Sequence, residues 1–175
     1  MLCNYMRGWR KHDESPYEFK INAIEEAFKR SDVVLWADSS LYLVGDLKKI
    51  ENTILQDGYF MEEAGHYVKT WCNDHTRKYF NLTPEEDHFT MFSAGLLGLD
   101  KRSLVAMGWF TQWKAAAKAG CFKGEWTNHR HDMTCGSIIA QRMGLKYQPG
   151  GSHLAYIGEG YPPPKEGVVF HCQGI

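Results

Sequence analysis

The sequence predicts an α/β fold within a single domain that spans residues 1–175. Segments with helical periodicity alternate with short apolar runs, which is the pattern of α/β proteins. A length of 175 residues suits one domain, and 43% hydrophobic with 23% charged residues suits a packed core rather than a disordered chain. The formal net charge of -1 lacks the basic excess of nucleic-acid-binding proteins, so no nucleic-acid partner is predicted.

The first third of the chain is predicted to hold two helices and one strand. Residues 1–14 are polar and aperiodic, so they are expected to be irregular. Apolar side chains recur at helical spacing over 16–30, which predicts an amphipathic helix. The continuous apolar run Val33–Ala37 is typical of a strand buried on both faces in a parallel sheet. Asp46 is the predicted N-cap of a second helix that runs through Gln56.

The middle of the chain continues the alternation. Residues 59–63 are a predicted strand and 66–80 a predicted helix. Phe89–Phe92 is a second predicted strand, and it runs into Ser93-Ala94-Gly95, a turn where backbone can approach a ligand closely. Ser103–Lys118 has long helical character and predicts the fourth helix along the chain.

The last third begins with a helix and ends in a tail rich in glycine and proline. Asp132 is the predicted N-cap of that helix, and Gly144 ends it. Two short strands are predicted in the tail, at roughly 153–157 and 167–171.

The cysteines and the apolar runs indicate a cytoplasmic protein with free thiols. None of the cysteines forms a CxxC pair, so neither a zinc ribbon nor a redox motif is predicted. They are Cys3, Cys72, Cys121, Cys135 and Cys172. No leader pattern opens the chain, and no apolar run approaches the roughly 18 residues of a membrane span, so no transmembrane segment is predicted.

Asp38-Ser39-Ser40 is the first candidate for chemistry. It follows the apolar run 33–37, and open α/β sheets bind ligands at the carboxyl ends of their strands. The Asp38 carboxylate is suited to hold a hard divalent cation that bridges phosphates. Alternatively, Asp38 only caps the turn after the strand.

His129-Arg130-His131-Asp132 is the second candidate. Imidazole, guanidinium and carboxylate this close together suit an anion clamp, a metal site or acid–base chemistry. Together with His171 they suggest one alternative function, a metal-dependent hydrolase. In the simplest structural interpretation, Asp132 only caps a helix. Trp126, beside this loop, is a candidate for stacking against a sugar.

Four segments, in this order, resemble nucleotide-sugar glycosyltransferases of the type A fold, in the group of glycogenin and the lipopolysaccharide galactosyltransferases. VVLWADSSLYLVGDL resembles the strand that delivers a DxD motif, and MFSAGLLGLD resembles the strand followed by an Asn-Ala-Gly turn. HRHDMTCGSIIAQ is similar to the loop and helix that usually read His-x-Asp-Gln, and VVFHCQGI to the closing strand with His-x-x-Gly. The resemblance covers roughly residues 17–175, and it implies a mixed sheet flanked by helices.

The resemblance implies a metal and diphosphate site. Asp38, Ser40 and His171 would hold Mn²⁺ or Mg²⁺, with Ser40 at the second acidic position of DxD. Gly174 would lie near the diphosphate, and Lys20 of the first helix could approach the phosphates.

The resemblance also implies a sugar site. Ser93, Ala94 and Gly95 would face the donor sugar, with Ser93 where asparagine is usual. Asp132 would contact the donor sugar or the acceptor and is the expected catalytic residue, while Met133 stands where glutamine is usual.

The function implied is transfer of a sugar from a nucleotide-diphosphate donor to a hydroxyl group of a carbohydrate or glycoconjugate acceptor, with metal assistance. Only about thirty residues precede the apolar run that leads to Asp38, so part of the N-terminal nucleotide-binding half is expected to be missing. The departures at Ser40 and Met133 support an alternative, a non-catalytic glycan-binding or scaffold remnant of the fold.

Overall fold

The computed structural model describes residues 16–173, so the segment predicted to be irregular, 1–14, and Gly174 lie outside the described residues. The helices are α1 (Glu18–Phe28), α2 (Lys48–Asp57), α3 (Asp74–Phe80), α4 (Leu104–Lys118) and α5 (His131–Arg142). The strands are β1 (Val33–Ala37), β2 (Leu41–Leu43), β3 (Tyr59–Tyr67), β4 (Thr90–Asp100), β5 (Leu154–Ile157) and β6 (Phe170–Gln173). The predicted α/β class is confirmed.

The first sheet has the strand order β1-β4-β3, and both of its strand pairs are antiparallel. β1 has the predicted bounds, but the predicted parallel pairing is wrong, because Val33 lies opposite Asp100 in an antiparallel register. The side chains of β1 are only partly buried, since this strand lies at an edge of the described sheet. Its run is apolar because alternate side chains pack against two different core clusters.

The second sheet has the order β2-β6-β5. β2 is antiparallel to β6, with Tyr42 opposite His171, and β5 is parallel to β6. Both predicted strands of the tail are present. The last one begins later than predicted, because the backbone N–H groups of Val169 and Phe170 both donate to His153 O, each over 2.8 Å.

β4 is the central strand of the first sheet, and its 11 residues include the predicted turn. The expectation that Ser93-Ala94-Gly95 forms a turn is wrong, because the apolar residues that follow continue the ladder with β1. Gly98 allows α2 to pack closely on this strand. A Cβ at Gly98 would lie 2.4 Å from Ile54 Cδ1 and 2.9 Å from Phe60 Cβ.

The predicted helix 66–80 is confirmed only in its second half, as α3, Asp74–Phe80. β3 extends to Tyr67, which pairs with Thr90, and a short 3₁₀ turn follows at Val68–Thr70. Asn73 then starts α3 as its N-cap, because its side chain accepts a hydrogen bond from Thr76 N over 2.9 Å.

At three other helices, the predicted N-cap residue is the observed N-cap or lies within two residues of it. Ser103 is the N-cap of α4 as predicted, and its Oγ accepts from Ala106 N. Asp46 lies one residue before the N-cap of α2, yet its Oδ1 still accepts from Lys48 N. Asp132 is not the N-cap of α5 but lies in its first turn, because its carboxylate is directed at Lys20.

α4 and α5 cover one face of β4 and bury two tryptophans, Trp109 and Trp113, which are both 0% exposed. Trp109 Nε1 donates to Gly136 O and Trp113 Nε1 to Asp132 O, each over 2.9 Å. Each buried indole N–H therefore has a backbone acceptor on α5. Among the described residues, no helix is both long and apolar enough to cross a bilayer.

Candidate functional site

Lys20 is the centre of the candidate site, and its side chain is 2% exposed. It lies in the first turn of α1 on the buried face of the helix. Its Nζ donates to Ala94 O over 3.1 Å and lies 3.1 Å from Asp38 Oδ1 and 2.9 Å from Asp132 Oδ2. The ammonium is therefore surrounded by one backbone carbonyl and two carboxylates. The two carboxylates also supply the pairing that a buried charge requires.

Asp38 directly follows β1, and its backbone N–H donates to Gly95 O over 2.8 Å. Its Oδ1 also accepts a hydrogen bond of 2.6 Å from Trp36 Nε1. A Cβ on Gly95 would lie only 3.1 Å from Asp38 Oδ2, so the absence of a side chain leaves room for the carboxylate beside β4. The Asp38 side chain is 32% exposed, which makes it the carboxylate of the site that a ligand reaches first.

Asp132 is the buried carboxylate of the pair, at 3% exposure. Burial raises the pKa of Asp132, and the nearby Lys20 ammonium opposes that rise. For Lys20, burial favours the neutral amine, but Asp132 and Asp38 outweigh it and the pKa of Lys20 is raised. Two carboxylates against one ammonium give the ionised cluster one net negative charge.

A cleft of about 280 Å³ opens beside Ser93, which is itself buried. Tyr156 and Tyr161 line it, and their rings stack with centroids 5.6 Å apart. Burial raises the pKa of Tyr156, and a hydrogen bond with Ser93 opposes the rise. Pro162–Pro164 and Glu63 complete part of the wall. Aromatic faces with polar groups at their edge suit a sugar ring.

Ser40 and His171 lie on the second sheet. Ser40 immediately precedes β2, where its Oγ lies 3.6 Å from Cys172 Sγ, and His171 in β6 contacts the Tyr42 ring at 5.5 Å between centroids. Within residues 16–173, no group of three or more His, Cys, Asp or Glu side chains is arranged to hold a metal ion. The residues present therefore fit a divalent cation only in part, with Asp38 as the one carboxylate and with substrate oxygens needed to complete the shell.

The two histidines of the HRHD segment are structural. His129 is 0% exposed, and its Nε2 lies 2.8 Å from Cys121 O, while His131 Nδ1 lies 2.9 Å from Phe122 O. Burial lowers the pKa of His129 to about 4, so its imidazole is neutral at physiological pH. Within the described residues His129, His131, Asp132 and His171 do not form a metal cluster, so the arrangement gives the hydrolase hypothesis no support.

Three aromatic residues of the site were missed from the sequence: Tyr17, Trp36 and Tyr156. The Tyr17 ring lies 4.9 Å from Lys20 Nζ, and the Trp36 ring lies 5.7 Å from the same atom. Trp126, the predicted sugar-stacking residue, is 55% exposed and stacks on His131. The aromatic content of 14% was the available signal, but it does not say which rings surround a cation.

Comparison with known proteins identifies the fold. No family model matches the sequence, and no curated protein matches it. Among solved structures, apo mouse xyloside xylosyltransferase 1 matches with a TM-score of 0.51 and 14% identity over 90% of this chain. The apo bifunctional glycosyltransferase WbbM matches with a TM-score of 0.56 and 14% identity, also over 90% of this chain.

The chain has a glycosyltransferase-like fold. The predicted type A architecture is thereby confirmed, with two small sheets, one antiparallel and one mixed, among the helices. The chain spans 63% of the xylosyltransferase structure and 31% of the WbbM structure. At 14% identity these matches establish the fold, and the chemistry must be argued from the site.

Proposed function

We propose that this protein transfers a sugar from a nucleotide-diphosphate donor to a hydroxyl group of a carbohydrate or glycoconjugate acceptor. The observation that carries the proposal is the cluster of Lys20, Asp38 and Asp132 at the end of β1, within a glycosyltransferase-like fold. Two carboxylates held by one buried ammonium form a fixed set of acceptors for sugar hydroxyl groups. The cleft beside Ser93 gives a sugar a place to lie against aromatic rings.

In the proposed reaction, the bond between the anomeric carbon of the donor and a diphosphate oxygen breaks. The acceptor hydroxyl oxygen bonds to that carbon, and its proton leaves for a nearby base or for water. Asp132 is the proposed catalytic residue, because the Lys20 ammonium, 2.9 Å from its Oδ2, fixes its carboxylate in the cluster at the end of β1. Its role is to accept a hydrogen bond from the donor sugar or from the acceptor.

Lys20 acts in this proposal chiefly as a positioning residue. The sequence expectation was that its ammonium approaches the phosphates, but its three N–H groups already face Asp38, Asp132 and Ala94 O. It therefore keeps the two carboxylates in place and compensates part of their charge. Ser93, Ala94 and Gly95 are proposed to line the donor sugar.

A divalent cation, Mn²⁺ or Mg²⁺, is proposed to be held by Asp38, with Ser40, His171 and the diphosphate oxygens as further ligands. Such an ion would supply positive charge that stabilises the leaving diphosphate. Asp38 is suited to this role because its carboxylate is the more exposed of the two.

Donor binding is tested by the melting temperature of the protein with millimolar uridine or guanosine diphosphate, each with and without Mn²⁺. Ligand that binds only the folded state raises the melting temperature, and Asp38→Asn is expected to remove the part of the rise that requires Mn²⁺. Asp57→Asn, an exposed carboxylate at the end of α2, is the matched control and should behave as the unmodified protein. No rise with either nucleotide would count against a nucleotide donor.

A non-catalytic glycan-binding remnant of the fold is the second candidate. It is favoured by one observation, namely that Lys20 Nζ and Trp36 Nε1 both contact the Asp38 carboxylate that a metal would need. Binding of a glycan in the absence of nucleotide and metal, with no sugar transfer, would support this candidate. Measured transfer would exclude it.

A further inference from the structure

Arg130 differs from three other arginines of the protein, which form ion pairs with carboxylates. These three lie 2.6–2.7 Å from a carboxylate oxygen: Arg77, Arg102 and Arg142. Arg130 is half-buried, and within residues 16–173 its Nη1 is a buried nitrogen with no hydrogen-bond partner. Charged groups in folded proteins are normally paired, and among the described residues no carboxylate pairs with the Arg130 guanidinium, so this group is a candidate to bind an anion from outside the chain.

The Arg130 guanidinium is held between two indole rings. Its Cζ lies 3.8 Å from the centroid of Trp71 and 3.9 Å from the centroid of Trp126. Cation–π contacts on both faces stabilise the charge but leave the N–H groups in the plane of the guanidinium without acceptors. That planar edge is the part of arginine that binds carboxylates and phosphates through paired hydrogen bonds.

Arg130 also lies on the rim of the candidate site. It precedes Asp132 by two residues, and its backbone N–H donates to Trp71 O over 3.3 Å, which anchors it there. The Trp126 ring that contacts its guanidinium lies 6.3 Å from the Tyr17 ring, centroid to centroid, and the Tyr17 ring lies 4.9 Å from Lys20 Nζ. Trp126 and Tyr17 therefore connect Arg130 to the Lys20 cluster.

We propose that Arg130 binds an oxyanion carried by the substrate, a carboxylate or a phosphate, while the sugar lies beside the exposed part of the Trp126 indole. The half-exposed indole supplies an apolar platform, and the clamped guanidinium supplies the charge. This inference rests on the proposed function for its sugar ligand. It adds that the substrate carries a negative charge where it contacts Arg130. That charge belongs either to the carboxylate of an acidic sugar or to a phosphoryl group.

The test is a calorimetric titration of the full chain with methyl glucuronide, with methyl glucoside and with inorganic phosphate. Binding of methyl glucuronide but not methyl glucoside identifies an acidic sugar, whereas binding of phosphate alone identifies a phosphoryl group. In either case Arg130→Gln is expected to weaken binding of the anion at least tenfold. Arg30→Gln, at an exposed arginine just after α1, should leave it unchanged.

Arg130→Lys keeps the charge but loses the planar edge, so weaker binding than in the unmodified protein is expected from it too. If Arg130→Gln does not fold, Arg130→Lys is the variant titrated in its place. Failure of both anions to bind, or equal binding by the Arg130 variants, would overturn the proposal. Because no nucleotide is added and no transfer is measured, this outcome is independent of whether the protein transfers sugars.

Discussion

Replacing Lys20 with methionine is expected to destabilise the protein strongly, and more strongly at neutral than at acidic pH. Methionine keeps most of the aliphatic volume but leaves Asp132, which is 3% exposed, without its cation. Removal of one partner from a buried ion pair costs about 3–5 kcal/mol. For a chain of this size that corresponds to a fall of about 6–20 °C in melting temperature.

The pH dependence follows from the carboxyl that remains. Burial already raises the pKa of Asp132, and loss of the Lys20 ammonium removes the main opposing influence, so the pKa rises further. A carboxyl whose pKa is higher in the folded than in the unfolded state lowers stability as pH rises between those two values. The deficit of Lys20→Met should therefore be small below pH ~4, the unfolded value for Asp, and grow toward neutral pH.

The assay is urea unfolding of the unmodified protein, Lys20→Met and Lys20→Met/Asp132→Asn at pH 5 and pH 8. The double variant should recover part of the loss, because asparagine leaves no unpaired charge in the site. A deficit below about 1 kcal/mol at pH 8, the scale of an exposed ion pair, would refute the reasoning. So would a deficit that does not depend on pH, or a double variant less stable than Lys20→Met.

Two further predictions concern stability outside the site. Gly98→Ala should lower the free energy of unfolding by about 1–3 kcal/mol, since the new methyl group would lie 2.4 Å from Ile54 Cδ1. The double variant Gly98→Ala/Ile54→Val should recover part of that loss, as measured by urea unfolding. Asp100→Asn should cost about 1 kcal/mol at pH 7, because Arg102, which is 57% exposed, gives up its carboxylate partner. Hydrogen bonds from Arg102 lower the pKa of Asp100, so the stability that this pair contributes is present above pH ~4 and is lost as pH falls. An Asp100→Asn variant that is still less stable than the unmodified protein at pH 2, in thermal unfolding, would contradict this.

Local signals in the sequence were enough to locate most elements. β1 has the predicted bounds, and Ser103 begins α4 as expected, because an apolar run and a cap residue both act within a few positions. The long strand β4 was predicted too short, because Ser93-Ala94-Gly95 has the composition of a turn. In the structure these small residues make room for the Asp38 carboxylate and the Lys20 side chain.

The candidate site was predicted as separate residues rather than as an arrangement. Lys20, Asp38 and Asp132 were each singled out, but their contacts join positions 112 residues apart, as in the pair of Lys20 with Asp132. No local pattern encodes such a contact, because it depends on how α1 and α5 pack around β4. For the same reason the sequence did not show that Arg130 lies between Trp71 and Trp126.

The most direct test of the proposed function is release of nucleoside diphosphate from a panel of uridine- and guanosine-diphosphate sugars, with Mn²⁺ and a panel of saccharide acceptors. The unmodified protein is expected to release diphosphate with at least one donor and to yield the matching glycosylated acceptor. Asp132→Asn should reduce that rate by about 100-fold or more, and Asp57→Asn should not change it. Absence of release with every donor, or an equal rate in Asp132→Asn, would contradict the assignment of sugar transfer to this site.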